Sequence, residues 1–503
     1  MRFLKTLFIP ALAAIIVSGS LFAAGGNQAA AGGGGDRFKF SFMANFNQPE
    51  APKDTTKMLQ YWKDELKADI EWTWVPNSAY NDKLAAQLAA ADLPSVVVVR
   101  SPKDAIIVQS VRDGLFWPLD KYVNNPAYPN LDKLGDMRLD NLKIDGKLYA
   151  FPKERDIVRS CVYFRQDWMD KLGLKSPTTM EEIYEIIRAF TERDPDGNGR
   201  NDTTGISMKG RNLGIYLTLV SIYFGGQHEW YLADDGTIKN EIDHPAYQKA
   251  LDWYRDVYAR GYIISNLVEN NDEYIPFQQG RAGFVFTDAF TDVLDARIKL
   301  NSVFPNATVG FVHNIGPNGN PAMKAYVGYT GGFMFPRTSI KTEAELDRIM
   351  RFFDSLGTDK TALVMRRGFE GEHYSIVNGK LSFTADQLKK FREVDFPDAD
   401  QITPFYVTKP IPELSSDPLQ QAINDAVDGY KGKLYPNYST IYSSETLIRS
   451  QGLTEILQDA RMKYVLGQLD LAGWRAAAAQ WKAAGGDKIA AEFTAAHKLA
   501  QNK

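Results

Sequence analysis

The order of strand-like and helix-like runs before residue 100 constrains the fold more than any other feature of this sequence. Residues 37–42 alternate polar and apolar side chains as a half-buried strand does, residues 70–74 form a second such run, and Val96–Val99 is wholly apolar. Helix-like runs at 55–66 and 78–90 separate the three strands. This alternation predicts an α/β layer with parallel strands, and the apolar third run indicates a strand covered on both faces.

A second group of elements begins after residue 160. An apolar run at 162–164 predicts a strand, and apolar residues at helical spacing up to Phe190 predict a helix. Thr178 and, three residues later, Glu181 form the pattern of a capping box at the start of this helix. Further strands are expected at 284–286 and 332–335, and further helices at 244–260, 342–356, 385–392, 417–428, 444–460, 468–483 and 486–500.

Composition limits the class of protein. The chain has 503 residues, of which 44% are hydrophobic and 24% are charged, as in a globular protein with large cores. At about 150 residues per domain, two or three domains are expected. Lys and Arg number 58 and Asp and Glu number 62, so the basic excess of a nucleic-acid-binding protein is missing.

The N-terminal residues have the layout of a secretory signal peptide. Charged residues come first, an apolar run follows at 7–17, and small residues come next, which predicts a signal peptide at 1–23 and a Gly-rich flexible leader at 24–35. The run at 21–24 resembles a lipobox, but Ala24 occupies the position of the lipidated Cys. We therefore expect a soluble protein, periplasmic or extracellular, that is not stably anchored to a membrane. The one cysteine, Cys161, lies in a strand-like run, so a buried and unreactive thiol is expected.

One loop has the spacing of a calcium site. Oxygen ligands are available at loop positions 1, 3, 5 and 9 as side chains and at position 7 as a backbone carbonyl, and these residues are Asp194, Asp196, Asn198, Asp202 and Arg200. Position 12 of an EF-hand is Glu, whereas Gly205 stands here, so the loop is EF-like, with Thr203 or water as a further ligand. A turn without metal is the alternative. We expect a structural calcium ion.

Motifs for other chemistry are missing from the sequence. There is no phosphate-binding glycine loop, no His-Glu-x-x-His motif and no Gly-x-Ser-x-Gly elbow. The main enzymatic alternative is a secreted glycoside hydrolase or polysaccharide lyase that uses paired carboxylates. Because a chain with 62 acidic residues always contains a pair of carboxylates that could serve, the sequence gives this alternative little support.

Several segments resemble one family of binding proteins. They are residues 144–152, 162–174, 177–190, 194–199, 280–284 and 368–374. In this order they are similar to family 1 extracellular solute-binding proteins, in particular the lipoprotein-type members of carbohydrate ABC importers, which include alginate-oligosaccharide binders. The resemblance implies a type II periplasmic binding protein fold with two α/β lobes, a hinge, a ligand cleft, no catalysis and calcium in the Asp-rich loop. The roles of Glu370, His373 and Tyr374 do not follow from it.

The resemblance also directs attention to the cleft. Lobe one is expected at 36–158 plus 287–337, and lobe two at 159–286 plus 338–503. Ligands bind beyond the carboxyl ends of strands in such folds. Residues expected there are Asn45, Asn47, Arg100, Ser101, Thr287 and Asp288, and Arg155 and Arg159 are expected at the cleft because they flank the first crossover between the lobes.

Aromatic rings can bind the apolar face of a sugar, and arginine forks can hold a uronate carboxylate. Trp230, Tyr438 and Tyr442 are the aromatic candidates, with a packed core or surface ring as the alternative for each. We therefore expect a monomeric exported protein that captures an oligosaccharide and delivers it to an ABC permease.

Overall fold

The structure is a computed structural model. It describes residues 37–264, 266–269, 272–450 and 452–501. The predicted signal peptide at 1–23 and the leader at 24–35 lie outside the described residues. Within the described part of the chain, no helix is long and apolar enough to cross a membrane.

Strands and helices are numbered in chain order. The strands are β1 (Phe38–Phe46), β2 (Ala68–Pro76), β3 (Val96–Val99), β4 (Lys143–Ile144), β5 (Lys147–Leu148), β6 (Ala150–Glu154), β7 (Cys161–Arg165), β8 (Thr204–Ile206), β9 (Trp230–Leu232), β10 (Ile238–Asn240), β11 (Ala282–Thr287), β12 (Val309–Val312), β13 (Ala322–Lys324), β14 (Tyr329–Met334), β15 (Ser375–Val377), β16 (Lys380–Ser382), β17 (Glu413–Leu414) and β18 (Lys433–Tyr435). The α-helices are α1 (Lys57–Asp64), α2 (Tyr80–Ala90), α3 (Ala105–Arg112), α4 (Asp136–Leu142), α5 (Gln166–Leu172), α6 (Met180–Glu192), α7 (Leu213–Tyr223), α8 (Pro245–Ala259), α9 (Tyr274–Gln278), α10 (Thr291–Val303), α11 (Glu343–Leu356), α12 (Asp359–Arg367), α13 (Ala385–Lys390), α14 (Ala399–Ile402), α15 (Pro418–Gly429), α16 (Glu445–Arg449), α17 (Leu453–Val465), α18 (Leu471–Trp481) and α19 (Asp487–Gln501).

The first sheet has five strands in the order β2-β1-β3-β14-β6. β1 pairs in parallel with β2 and with β3. β14 comes from much later in the chain and inserts antiparallel between β3 and β6. All four residues of β3 are buried, as their unbroken apolar run predicts. The predicted α/β layer with parallel strands is confirmed in this sheet.

A hydrophobic core on the first sheet defines lobe one. Its buried members come from residues 40–151 and 333–405. Phe353 of α11 is fully buried, and its ring centroid lies 5.6 Å from that of Phe333 and 5.1 Å from that of Phe335, both in or next to β14. Helix α11 therefore covers the first sheet.

A second sheet, in the order β12-β7-β11-β8, defines lobe two. One of its faces packs against a core that includes α6, α7, α8 and α17, and the other against α10 and α15. The thiol of Cys161 is fully buried in β7, and burial raises its pKa, so the expected unreactive cysteine agrees with the packing.

The packing divides the chain differently from the sequence analysis, which placed 287–337 in lobe one and 338–503 in lobe two. α10 packs in lobe two through Val293 and Leu300, whereas residues 340–405 pack in lobe one. An amphipathic helix shows in its sequence which face it buries, but not which of two sheets it covers.

Within residues 37–501, as far as they are described, the chain crosses between the lobes three times. The first two crossings, 155–160 and 325–328, run side by side, since the Arg155 N–H donates to the Gly328 carbonyl at 2.8 Å and the Tyr326 N–H to the Ile157 carbonyl at 3.1 Å. The third crossing follows β17, which pairs with β16 on the lobe-one side, and the segment that leads to it lies beside the first two because the Thr408 hydroxyl donates to Glu154 at 3.2 Å. This group of crossing segments is the hinge.

Two local predictions need correction. The capping box of α6 is formed by Thr179 and Glu182, one residue later than predicted, because Glu182 accepts from the N–H groups of both Thr178 and Thr179. The helix predicted at 444–460 is divided into α16 and α17, with Gly452 in the left-handed region at φ +84°.

Candidate functional site: an interlobe cleft and an Asp-rich loop

Polar side chains collect at one edge of the first sheet. β1 and β3 are parallel, and β6 runs in the same direction because both β3 and β6 are antiparallel to β14. The carboxyl ends of the three strands therefore place Asn45, Arg100 and Lys153 at the edge that faces lobe two. Ligands of open α/β sheets bind at such an edge.

Asn45 and Asn47 both lie at the carboxyl end of β1, as predicted for residues near the ligand, but they have different hydrogen-bond partners. Asn45 is 2% exposed, and its amide nitrogen donates to Gln401 Oε1 at 2.9 Å, while its Oδ1 has no hydrogen-bond partner in the described residues. The Asn47 backbone N–H and amide nitrogen donate to Asp398 Oδ1 at 2.9 and 3.3 Å. Asn47 is thus occupied within the lobe, whereas Asn45 has a free acceptor.

Cationic groups lie next to Asn45. Arg100 and Ser101 are exposed, and Arg100 donates to the Asn77 carbonyl at 3.3 Å. Lys153 is buried, and its Nζ donates to Gln401 Oε1 at 2.5 Å. Burial lowers the pKa of Lys153 to about 8, and the positive charges of Arg100 and Arg155 contribute, against the opposing effect of the Asp400 and Asp398 carboxylates. Lys153 and Gln401 were not predicted as site residues.

The facing edge of lobe two contains the remaining predicted polar residues. The register of Thr287 opposite Cys161 places Asp288 beside Arg159, whose Nε donates to the Asp288 carbonyl at 3.1 Å. The Asp288 carboxylate accepts from Lys324 Nζ at 2.8 Å. Thr287 is buried and its hydroxyl donates to Asp292, so its contacts lie within lobe two.

A cavity of about 250 Å³ lies between the lobes at the hinge. Arg155 and Arg159 both line it, together with Arg366 from lobe one and Asn424 from lobe two. The structure therefore brings these two predicted arginines together on one interlobe cavity.

The three predicted aromatic residues lie elsewhere. Trp230 is 6% exposed and packs in the core of lobe two, with its ring centroid 5.2 Å from that of Phe493. Tyr438 and Tyr442 stack on each other, and the Tyr442 hydroxyl lies 2.9 Å from His497 Nδ1. Tyr442 lines a different interlobe cavity, beside Lys143 of lobe one. None of the three lines the cavity at the hinge.

The Asp-rich loop folds its oxygen-bearing side chains inward. Asp194 accepts from the N–H groups of Gly197 and Gly199, both at 3.0 Å, and Asn198 Nδ2 donates to Asp196 at 2.8 Å and to Asp202 at 3.0 Å. Both glycines have positive φ, which lets the chain turn back.

Crowding of carboxylates in this loop has an electrostatic cost. Partial burial raises the pKa of Asp196, and the neighbouring Asp194 and Asp202 carboxylates raise it further. The Thr203 hydroxyl, considered as a further ligand, instead donates to the Phe190 carbonyl at 2.8 Å inside lobe two.

Two residues of the 368–374 segment, Glu372 and His373, belong to a separate charged cluster in lobe one. His373 Nε2 lies 2.9 Å from Asp395, and Glu372 and Asp395 both accept from Lys390. Lys57 also pairs with Glu372. Glu372, His373 and Asp395 are the one set of three possible metal ligands close together in the described part of the chain, but the two lysines already neutralise its carboxylates. We assign this cluster to the packing of lobe one.

Comparison with known proteins decides the family. The chain matches the family described as bacterial extracellular solute-binding protein over residues 42–362, more than half of its length. This chain belongs to the bacterial extracellular solute-binding proteins. It is 29% identical over 470 residues to the polygalacturonan/rhamnogalacturonan-binding protein YtcQ of Bacillus subtilis, a match that covers 92% of each chain.

Solved structures share the fold of this solute-binding protein. The alginate-binding protein AlgQ2, crystallised without calcium ion, gives a TM-score of 0.61 at 18% identity, covering 92% of this chain and 98% of the other. FusA of S. pneumoniae in complex with kestose gives 0.60 at 18% identity, covering 93% and 100%. An EF-hand mutant of FusA in complex with fructo-nystose gives 0.60 at 17% identity, with the same coverage.

These comparisons confirm the predicted type II binding-protein fold and the family suggested by the sequence motifs. The relatives are binding proteins, which confirms the prediction that this chain is not an enzyme and does not favour a hydrolase or lyase. The family description also agrees with a location outside the cytoplasm.

Glu154 at the hinge gives the solute-binding protein a titratable group in its interior. Its side chain is 2% exposed and lies 3.5 Å from Arg138 Nη1. Burial raises the pKa of Glu154 to about 7, against the opposing effects of Arg138 and of the Thr408 hydrogen bond. The folded state therefore holds this proton at a pH where the unfolded chain, with a pKa of about 4.3, has released it.

We predict that Glu154→Gln weakens the pH dependence of stability. In the native protein, the stabilisation that protonated Glu154 adds to the free energy of unfolding is fully present below about pH 4.3 and is lost as the pH rises through about 7. The free energy of unfolding falls over this range by at most about 1.4 kcal/mol per pH unit. The variant cannot ionise, so its free energy of unfolding should fall less between pH 4.5 and 7, measured by urea titration. Glu71→Gln, at an exposed position of β2, is the control. A slope as steep as that of the native protein would contradict the prediction.

Proposed function

We propose that this solute-binding protein captures an oligosaccharide in the interlobe cleft and delivers it to an ABC permease. The observation that carries the proposal is the pair of facing polar edges, with Asn45 and Lys153 on lobe one and Arg159 on lobe two, next to a hinge. Relatives with names that specify sugars support it, since YtcQ is named for polygalacturonan and rhamnogalacturonan and FusA is crystallised with kestose.

The physical basis of capture is lobe closure. Sugar hydroxyl groups need planar amide and guanidinium partners, which Asn45, Arg100 and Arg155 offer at the cleft. Each lobe supplies part of the site, so a bound sugar stabilises the arrangement in which the lobes lie together. The permease then distinguishes loaded from empty protein by this shape.

We further propose that residues 1–23 direct export and that the mature protein acts as a monomer. Because Ala24 stands where a lipidated cysteine would be, export is proposed to release the protein without a lipid anchor at that position.

We also propose a structural calcium ion in the loop 194–202. Its ligands would be the side chains of Asp194, Asp196, Asn198 and Asp202 and the carbonyl of Arg200. Hard oxygen donors turned inward by two glycines suit calcium, and a cation would offset both the burial and the repulsion from Asp194 and Asp202 that raise the pKa of Asp196. The AlgQ2 structure without calcium and the FusA EF-hand mutant support this proposal by their descriptions.

Binding of oligosaccharide should raise thermal stability. A sugar at one hundred times its dissociation constant adds about 2.7 kcal/mol to the free energy of unfolding, visible as a raised midpoint by scanning fluorimetry. The panel comprises oligogalacturonates, kestose and maltotriose, and mass spectrometry checks that each sugar stays intact. Arg155→Gln should reduce the shift, whereas Arg475→Gln, at an exposed position of α18, should not. A flat panel with folded protein would contradict the proposed function.

Removal of calcium should destabilise lobe two. A chelator should lower the unfolding midpoint of the native protein, and added calcium should restore it, because the ion binds only the folded loop. Asp196→Ala should remove this response, while Asp82→Asn, at an exposed position of α2, should keep it. Equal midpoints with chelator and with calcium would argue for a turn without metal.

A further inference from the structure

The Lys153 ammonium group has fewer partners than its burial requires. The residue is 6% exposed, and its Nζ, which can donate three hydrogen bonds, donates one to Gln401 Oε1 at 2.5 Å. A buried charge is costly unless acceptors or an opposite charge compensate it. Among the described residues, the other two donors of Lys153 have no acceptor.

Arg100 and Arg155 add positive charge near Lys153, and the Asp400 and Asp398 carboxylates oppose it from beyond ion-pair distance. In the part of the chain that the structure describes, no carboxylate oxygen lies within the 4.0 Å ion-pair distance of Arg100, Lys153 or Arg155. Arg100 uses one Nη1 hydrogen bond to the Asn77 carbonyl, at 3.3 Å, and is exposed. Its remaining N–H groups form the fork that matches a carboxylate in a bidentate way.

The nearby carboxylates already have other partners. Asp398 accepts from the N–H groups of Asn47 and Gln48, and Asp400 accepts from Gln401 Nε2. On lobe two, the Asp288 carboxylate is neutralised by Lys324. None of the three carboxylates makes an ion pair with Lys153.

Gln401 holds the two buried groups of this edge in place. Its Oε1 accepts from both Asn45 Nδ2 and Lys153 Nζ, so one amide fixes two side chains from different strands. Asn45 Oδ1 then remains as a buried acceptor with no partner in the described residues. A buried acceptor of this kind suits a hydroxyl donor on the ligand.

We propose that the cleft is specific for oligosaccharides of uronic acids, with one sugar carboxylate held by Lys153 and Arg100 and an adjacent hydroxyl donating to Asn45. This inference rests on the proposed function, since it assumes that an oligosaccharide occupies the cleft. The two relatives above differ in the charge of the sugars that they are named for, so the choice of an anionic sugar comes from these side chains.

The test compares a charged trisaccharide with its esterified, uncharged form and with a neutral trisaccharide of another sugar. Trigalacturonate, its uncharged methyl ester and kestose are titrated into the full-length mature protein by calorimetry. Trigalacturonate should bind about 10- to 100-fold more tightly than its ester, the ratio expected for a hydrogen bond to a charged group. Raising NaCl from about 0.05 M to about 0.5 M should weaken binding of the acid more than that of the ester.

Variants then test whether Lys153 and Arg100 are the residues that bind the sugar carboxylate. Lys153→Met and Arg100→Gln should each weaken trigalacturonate by about 10-fold or more and leave the ester within about threefold. Lys39→Met removes a positive charge from an exposed position near the other end of β1 and should bind like the native protein. Because Arg100 is exposed, its variant keeps the test decisive if Lys153→Met fails to fold.

Four results would overturn the inference. Equal affinity for the acid and its ester would exclude recognition of the sugar carboxylate. Unchanged trigalacturonate affinity in both variants would show that Lys153 and Arg100 do not bind that carboxylate. Binding of kestose but not of trigalacturonate would refute the anionic class while leaving the proposed function intact. If none of the three sugars binds the native protein, the proposed function fails as well.

Discussion

The insertion of β14 between β3 and β6 is the contact on which the rest of the structure depends. A strand from the later part of the chain closes the first sheet, so the chain must leave lobe one, build most of lobe two and return. Gly331 makes the close approach possible, because a Cβ there would lie 2.6 Å from the Val99 carbonyl oxygen and its φ is +122°. The paired crossing segments at 155–160 and 325–328 follow directly from this return.

The same insertion also aligns the binding edge. Two antiparallel pairings with β14 make β6 parallel to β3, which brings Lys153 to the edge where Asn45 and Arg100 end their strands. Lys153 is buried there without an ion pair to any described residue, and Gln401 of α14 orients it. The lobe thus holds a pre-organised polar edge with unused hydrogen-bonding capacity, and a bound sugar would complete it.

Local patterns could be predicted from the sequence because they depend on nearby residues. The wholly apolar Val96–Val99 predicted a buried strand, and the rule for carboxyl ends predicted Asn45 and Arg100 at the edge of the first sheet where they lie. Lys153 could not be found this way, since the direction of its strand is set by β14, which lies far along the chain. Gln401 belongs to a four-residue helix whose sequence carries no periodic signal. Trp230 packs in the core. The sequence could not show this, because an aromatic residue in a short strand is equally suited to a core and to a ligand site.

The central claim is that a sugar is held between the two lobes, and an interlobe distance tests it most directly. Ile106 on α3 of lobe one and Ile298 on α10 of lobe two are 48% and 64% exposed, so Ile106→Cys and Ile298→Cys can carry spin labels. The native Cys161 is fully buried and should remain unlabelled. We expect saturating trigalacturonate to shift and narrow the distance distribution measured by double electron–electron resonance. An unchanged distribution at saturation would contradict capture between the lobes.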